Sequence, residues 1–169
     1  NVAAAVHPEL TYVKVKQGDH TLYLAKALLS VLRGDHQVLA ELPGKELVGL
    51  AYSGPFDELP AQQGVKHRVV PWSEVSGSEG TGIVHIAPGA GKEDFALGRE
   101  FDLSVIAPLD ESGTFIDGFD WLTGRDVAEV SEPIFDDLRR KGILYHVEQY
   151  AHRYPVCWRC DTELVFRLV

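Results

Sequence analysis

Residues 80–94, Gly-Thr-Gly-Ile-Val-His-Ile-Ala-Pro-Gly-Ala-Gly-Lys-Glu-Asp, decide how this chain folds. The apolar run Ile83–Ala87 predicts a strand, Pro88–Gly91 predicts a turn, and Glu93 and Asp94 fall in the first turn of a helix that follows. Glycines let a backbone approach a ligand closely, and a helix start offers unpaired N–H groups beside acidic side chains able to hold a cation. This stretch therefore has the organisation of a binding site.

The rest of the chain predicts many short strands and few helices. Alternation in Tyr12–Lys16 and Thr21–Ala25 indicates a hairpin, and the clearest helix begins with Ser131 as its cap and ends at Gly142. The remaining predicted elements are strands at Gln37–Leu42, Leu47–Tyr52, Val65–Val70, Thr81–Ala87 and Leu103–Ala107, helices at about Lys26–Leu32 and Lys92–Phe101, and turns at Ser112-Gly113 and Asp117-Gly118. This pattern favours an α+β fold centred on a closed or nearly closed β-barrel with peripheral helices.

Length and composition predict one compact domain. The chain has 169 residues, of which 45% are hydrophobic, enough for one sizeable core. Its first and last residues have the character of cuts through a larger protein, so residues 1–169 are interpreted as one domain of a longer chain. No apolar run reaches the roughly 18 residues of a transmembrane helix, and no leader pattern is present, which favours a soluble, cytoplasmic protein without a membrane partner.

The net charge of −9 argues against a general nucleic-acid-binding surface, because neutralising phosphates requires clustered Lys and Arg. If RNA is the substrate, this domain is expected to handle a short single-stranded end while other domains hold the body. An acidic surface is equally typical of an ordinary soluble domain, so charge alone selects no function.

Asp94 and His85 are the two candidates for chemistry in residues 80–94. The helix macrodipole keeps Asp94 ionised and able to pair with an ammonium group, although acidic residues also favour helix starts for stability alone. Strand alternation places His85 on the same side as Ile83 and Ala87, where it is either a pocket residue or a core histidine. From the residues alone, Asp94 is either a ligand-binding or a helix-stabilising carboxylate, and His85 is either a pocket residue or a core histidine.

Several familiar catalytic motifs are missing from the sequence. Gly80–Gly82 has neither the Lys-Ser/Thr pair of a phosphate-binding loop nor the Gly-x-Gly-x-x-Gly nucleotide pattern. His85-Ile86-Ala87 is not the His-x-Glu of a zinc deaminase. There is no Gly-x-Ser-x-Gly elbow and no catalytic cysteine signature, so a covalent acyl-enzyme is not expected and water is the favoured nucleophile.

Residues 80–94 resemble the signature loop of the editing domain inserted into class I aminoacyl-tRNA synthetases for isoleucine, valine and leucine. Asn1-Val2-Ala3 and the segment from His152 to Cys160, with Tyr154-Pro155 and Cys157-Trp158-Arg159-Cys160, extend the resemblance over nearly the whole chain. His85, nine residues before Asp94, is typical of the isoleucine branch, whereas Lys or Met usually stands there in the other two. The resemblance implies a single editing (CP1) domain over 1–169, with about 150–169 returning toward the zinc-binding and catalytic body.

The resemblance implies hydrolysis of the ester between valine and the 3′ end of isoleucine tRNA, with a valine-containing adenylate as a further substrate. Asp94 is expected to hold the substrate's α-ammonium, and His85 to exclude the isoleucyl side chain. The remaining implied contacts with the substrate and its terminal adenosine are Gly80, Thr81, Gly82, Ile83, Val84, Ile86, Ala87, Pro88, Gly89 and Glu93. The expected partners are that tRNA end, the adenylate and the rest of the synthetase in the same chain.

Two other functions stay open from the sequence. One is the editing domain of the valine branch, which removes threonine, and the other is a non-catalytic module that binds only the acceptor end or an aminoacyl-adenylate. The family also carries a Thr-rich strip just before its Asn-Val-Ala segment, and this chain starts after that point. An isolated domain without that strip is expected to have impaired activity.

Cys157 and Cys160 form the only Cys-x-x-Cys pair, and a structural zinc site normally takes four ligands. The resemblance implies that they are half of a zinc site completed elsewhere in the full-length protein. The alternatives are a local site completed by His146 and His152, or plain reduced cysteines. No cofactor is expected in the isolated domain.

Overall fold

The computed structural model describes residues 1–149, 155–161 and 164–165. Its strands are β1 (Ala3–Val6), β2 (Thr11–Gln17), β3 (His20–Ala25), β4 (Gln37–Pro43), β5 (Val69–Pro71) and β6 (Ile83–Ile86), and its α-helices are α1 (Lys92–Glu100) and α2 (Ser131–Arg140). Short 3₁₀ helices occupy Lys26–Val31, Gly44–Glu46, Pro60–Gln62, Asp120–Leu122 and Val127–Glu129. The strands form two three-stranded sheets.

The first sheet has the order β5-β1-β6, with β1 parallel to β5 and antiparallel to β6. Successive residues of the central strand β1 point to opposite faces of this sheet. Ala3 and Ala5 are fully buried in a core that also contains Ile86, Leu97 and Leu103. The small side chains of β1 allow helix α1 and the chain after it to pack closely against this face of the sheet.

The second sheet has the order β3-β2-β4, and β2 shifts register between Lys14 and Val15 where it pairs with β4. Tyr12 on β2 joins this sheet to the first. Its hydroxyl donates to the Gly82 carbonyl at 2.6 Å and accepts the His7 N–H at 3.0 Å. The Ala25 N–H also donates to the Thr81 carbonyl at 2.8 Å, so the end of β3 is fastened to the chain that leads into β6.

Most of the predicted elements are confirmed. The hairpin of β2 and β3, strands β4 and β6, helices α1 and α2, and turns at both predicted positions all occur. One detail of α2 is wrong, because Ser131 is its first residue and Val130 occupies the N-cap position.

Two predicted strands are absent where the sequence is apolar. Residues 47–49 form a turn, since the Leu50 N–H donates to the Leu47 carbonyl and Gly49 has a left-handed φ of 86°. Residues 49–52 then run beside 67–69: the Gly49 and Tyr52 N–H groups donate to the Val69 and His67 carbonyls, and Ala51 makes an isolated bridge with Arg68. Residues 103–107 are irregular because the carbonyl of Ile106 packs directly against the Cα of Gly89, in the space that a Cβ would fill.

Two other predictions are wrong in extent or type. The predicted strand Val65–Val70 is confined to β5, which starts at Val69. The predicted helix at Lys26–Leu32 is a 3₁₀ helix with a non-helical residue, Leu28, inside it. Leu28 is buried in the core with Tyr12, so packing decides the local geometry there.

Helix α2 is attached to the body of the domain by its last turn. Asp137 is buried and its carboxylate lies 2.6 Å from both Lys141 and Arg140. Lys141 also donates to the Pro55 carbonyl at 2.7 Å, contacts Glu58, and lies over the Phe56 ring. Among the described residues, no helix has the length and apolar character needed to cross a bilayer.

Replacing Asp137 by Asn is expected to lower the free energy of unfolding at neutral pH by about 1.5–3 kcal/mol, the range for hydrogen bonds to charged groups. The hydrogen bond from Lys141 is the largest of the effects that set the pKa of Asp137; burial opposes it, Arg140 adds to it, and the net result lies below the ordinary 3.8. The stabilisation is therefore complete above that value and is lost as pH falls through the folded pKa.

Denaturant unfolding at about pH 7 and about pH 3 measures this effect. The difference in stability between wild type and Asp137→Asn should shrink at the lower pH. A difference that does not change with pH would mean that the pair contributes nothing through its charge.

Candidate functional site

Strand β6 places His85 and Ile83 on one face of the first sheet, opposite the core. Ala4 and Val6 of β1 stand directly across from them in the antiparallel register, and Val69 of β5 continues the same face. These five side chains form part of the lining of a groove of about 1010 Å³. The groove floor therefore lies on the sheet face opposite Ala3 and Ala5, and it adjoins a second core cluster that contains Val6, Leu47, Tyr12, Ala25 and Leu28.

The opposite wall of this groove consists of residues 50–56, which sequence reasoning missed. Tyr52 and Phe56 supply its aromatic surface, with Ser53, Gly54 and Pro55 between them. The segment has no strand or helix periodicity, because it consists of turns and irregular backbone. Its Gly-Pro pair predicts a turn and does not indicate that the segment lines a groove.

Asp94 is half-buried at the start of α1, as predicted, and its carboxylate holds the preceding turn. The Ala87 N–H donates to Asp94 Oδ1 at 2.8 Å, and Oδ2 lies against the backbone of Gly91. A carboxylate in this position does not cap its own helix, since the N-cap residue Gly91 makes no side-chain cap. Asp94 instead fixes the geometry of the turn between β6 and α1.

His85 is exposed on the groove floor and is not a core histidine. Its pKa is lowered from the ordinary 6.5, chiefly because the protein around the groove partly shields the ring from water, while the charge of Asp94 acts in the opposite direction. His85 therefore lines the groove, and Asp94 lies at the turn that follows the same strand and is not part of the lining.

Gly80 and Gly82 have left-handed φ angles of 60° and 71°. A side chain at Gly82 has no space, because its Cβ would lie 2.5 Å from the Cβ of Ala25. Thr81 between them is exposed and lines the groove together with Ile83 and His85. This loop therefore contributes to the site through Thr81, while Gly82 is required for packing.

The other predicted site residues lie away from the groove floor. Val84 and Ile86 point to the opposite face of β6, and Ile86 is buried in the core. Pro88 and Gly89 are buried in the turn, and Glu93 is exposed on the first turn of α1. Ala87 contributes its backbone N–H to Asp94, so these residues shape the turn and do not line the groove.

Cys157 and Cys160 lie on a short turn closed by a hydrogen bond from the Asp161 N–H to the Cys157 carbonyl at 2.9 Å. Cys157 is half-buried, Cys160 is exposed, and no disulfide joins them. Within residues 1–149, 155–161 and 164–165, no cluster of three or more His, Cys, Asp or Glu side chains could hold a metal. His152, an alternative ligand predicted from the sequence, lies outside the described residues.

Comparison with known proteins assigns the chain to a sequence family. No family model matches it. An isoleucine–tRNA ligase from Methanothermobacter thermautotrophicus is 40% identical over 168 residues, covering 98% of this chain and 16% of that protein. The chain is homologous to one segment of the isoleucine–tRNA ligases. Similar matches come from Archaeoglobus fulgidus, 43% identical over 99% of this chain and 17% of its ligase, and from isoleucine–tRNA ligase 2 of Bacillus cereus, 39% identical over 98% and 16%.

A solved structure supports the fold of this ligase segment. The crystal structure of GlLeuRS-CP1 aligns with a TM-score of 0.66 over 88% of this chain and 78% of that chain, at 14% sequence identity. The expected α+β fold of a CP1 editing domain with few helices is therefore confirmed, and the described strands, for which a β-barrel was expected, are arranged as two three-stranded sheets. The chain spans about one sixth of the length of the curated ligases that it matches.

The purified, dialysed chain is expected to retain far less than one zinc ion per molecule, because two thiolates leave half of the tetrahedral coordination open. Elemental analysis gives the metal content, and a longer chain of the same ligase that includes a second Cys pair is the positive control. Near-stoichiometric zinc that is lost, together with thermal stability, in His152→Ala would contradict the half-site interpretation and indicate a local site.

Proposed function

We propose that this domain hydrolyses valine from mischarged isoleucine tRNA, as the proofreading site of an isoleucyl-tRNA synthetase. The observation that supports this most is a groove whose floor carries His85, with Asp94 held in the turn after the same strand, in a chain homologous to isoleucine–tRNA ligases. The substrate is the valyl ester at the 3′ end of the tRNA, and valyl-adenylate is a second substrate of the same site. The remainder of the synthetase, in the same chain, holds the tRNA body.

Asp94 is the anchor for the substrate's α-ammonium. Its Oδ1 already accepts the Ala87 N–H, which fixes the carboxylate in one orientation without neutralising its charge. A charged group that is fixed before the ligand arrives loses little entropy on binding. The ammonium therefore meets a carboxylate whose position is set by the turn.

His85 shapes the end of the site that receives the amino-acid side chain. The imidazole lies on the groove floor beside Ile83, and its lowered pKa favours the neutral form near neutral pH. A neutral ring does not repel the neighbouring ammonium of the substrate, whereas an imidazolium does. His85 can thus form an apolar boundary close to a charged group.

The reaction uses water as the nucleophile and needs no covalent intermediate on the protein. Water attacks the ester carbonyl carbon, the bond to the ribose oxygen breaks, and the products are valine and a free ribose hydroxyl on the tRNA. No Gly-x-Ser-x-Gly elbow or catalytic cysteine motif is present to form an acyl-enzyme. Backbone N–H groups and the free ribose hydroxyl are the groups that polarise the ester and place the water.

Asp94→Asn is expected to weaken binding of a non-hydrolysable valyl-adenosine analogue by about 1.5–3 kcal/mol, and to slow hydrolysis of valyl-tRNA. Asparagine keeps an oxygen for the Ala87 N–H, so the turn is preserved and only the charge is lost. Glu93→Gln removes the same charge one residue earlier, on an exposed side chain, and is the matched control. Calorimetry with the analogue and release of labelled valine from tRNA are the measurements.

The controls separate the proposed function from its alternatives. An N-acetylated analogue should bind wild type poorly, because it has no ammonium for Asp94. Equal affinity of wild type and Asp94→Asn for the valyl analogue would remove Asp94 from the site. Faster release of threonine than of valine would favour a valine-branch editing domain, and binding without any hydrolysis would favour a non-catalytic module.

His85→Ala is expected to reduce the preference for valyl over isoleucyl analogues. The larger isoleucyl side chain costs about 1–3 kcal/mol in a packed site, and removing the imidazole opens the space that the extra methylene needs. Competition binding of the two analogues to wild type and variant gives the preference. An unchanged ratio would assign the size limit to another part of the groove.

A further inference from the structure

His67 is a buried histidine outside the residues discussed so far, and both of its ring nitrogens have protein partners. It is 6% exposed, with Nδ1 2.9 Å from the Val2 carbonyl and Nε2 2.7 Å from Asp57 Oδ1. Both partners are hydrogen-bond acceptors, and an imidazole donates to both only when both of its ring nitrogens carry a proton. With either protonation the ring lies between two separate parts of the chain. One of these parts is the start of β1 and the other is the segment beside the groove wall.

Asp57 connects His67 to the groove wall. Its second oxygen, Oδ2, accepts the Gly54 N–H at 2.9 Å, so one carboxylate joins His67 to the groove-lining backbone. The contact is close: a Cβ on Gly54 would lie 2.5 Å from Asp57 Oδ1 and 2.6 Å from His67 Nε2. Because residue 54 is glycine, the wall backbone can contact the His67–Asp57 pair closely.

The contact of His67 with Val2 connects it to strand β6, which carries the groove-floor residue His85. Val2, whose carbonyl contacts His67, donates its N–H to the Ile86 carbonyl at 2.8 Å, one residue after His85. The Tyr52 ring also packs on the His67 ring, with centroids 5.2 Å apart. The Tyr52 hydroxyl donates to Asn1 Oδ1 at 2.7 Å, and burial is the main cause that raises its pKa to about 12.

We propose that His67 is a positioning residue that sets the separation between the groove wall and the groove floor, and thereby the size limit for the bound amino acid. The inference rests on the proposed editing function. His67 does not line the groove, whereas Tyr52, Gly54 and His85 do. Its effect on a ligand passes through the wall at residues 52–56, which His67 and Asp57 fasten to β1.

The test uses His67→Phe, which keeps a buried ring against Tyr52 and removes both hydrogen bonds. The valyl-over-isoleucyl preference, measured with the non-hydrolysable adenosine analogues, is expected to fall by about tenfold, near the lower end of the roughly 10–200-fold that one methylene supplies. Affinity for the valyl analogue should change much less, since the floor and Asp94 are intact. His20→Phe makes the same replacement on an exposed residue at the β2–β3 turn and should leave the preference unchanged.

Gly54→Ala is the second variant, because it pushes the wall away from the His67–Asp57 pair without removing a polar group. It should also reduce the preference, and it keeps the proposal testable if His67→Phe fails to fold. A fall in melting temperature in both variants with an unchanged preference would overturn the proposal and leave His67 with a structural role only. If wild type binds neither analogue, the proposed function itself fails, a result distinct from selective binding that the variants do not alter.

Discussion

Strand β1 is the element on which both the core and the candidate site depend. It is hydrogen-bonded to β5 on one side and to β6 on the other, so it cannot shift without breaking two ladders. Its residues Ala3 and Ala5 face one core cluster, while Ala4 and Val6 lie on the opposite face, where Val6 belongs to a second core cluster beside the groove. A four-residue strand thus contributes to two core clusters and to the groove floor, and a one-residue slip would exchange its two faces.

The strand–turn–helix of residues 83–100 was predictable because several independent signals agree there. Alternating apolar residues, a Pro-Gly turn and an acidic first helical turn all favour the same local structure. The runs at 47–52 and 103–107 carry only one of these signals, hydrophobicity, and neither forms a strand. Buried Leu47 and Leu103 are satisfied by packing, and nothing in the sequence reports that Ile106 must cross the backbone of Gly89.

The candidate site likewise has one part that the sequence predicts and another part that it does not. Asp94 lies nine residues after His85, and local reasoning together with the family resemblance selects both as candidates on one strand–turn–helix. The groove wall at residues 50–56 comes from a different part of the chain and has irregular backbone, so it carries no periodic signal. His67 offered one clue, a polar residue inside the apolar run Val65–Val70, but its partners Val2 and Asp57 are known only from the fold.

A groove of about 1010 Å³ is far larger than an amino acid, so its total volume cannot distinguish valine from isoleucine. Discrimination by one methylene, worth about 1–3 kcal/mol, requires a local boundary that does not yield when the larger side chain arrives. The floor meets this requirement because β1 is paired on both sides. The wall is irregular at residues 53–56, so its position there depends on specific contacts: the Tyr52 N–H donates to the His67 carbonyl, His67 and Asp57 hold Gly54, and Lys141 holds Pro55 and Phe56. A size limit of the kind proposed for this groove would therefore depend on polar contacts behind the wall as much as on the side chains that line it.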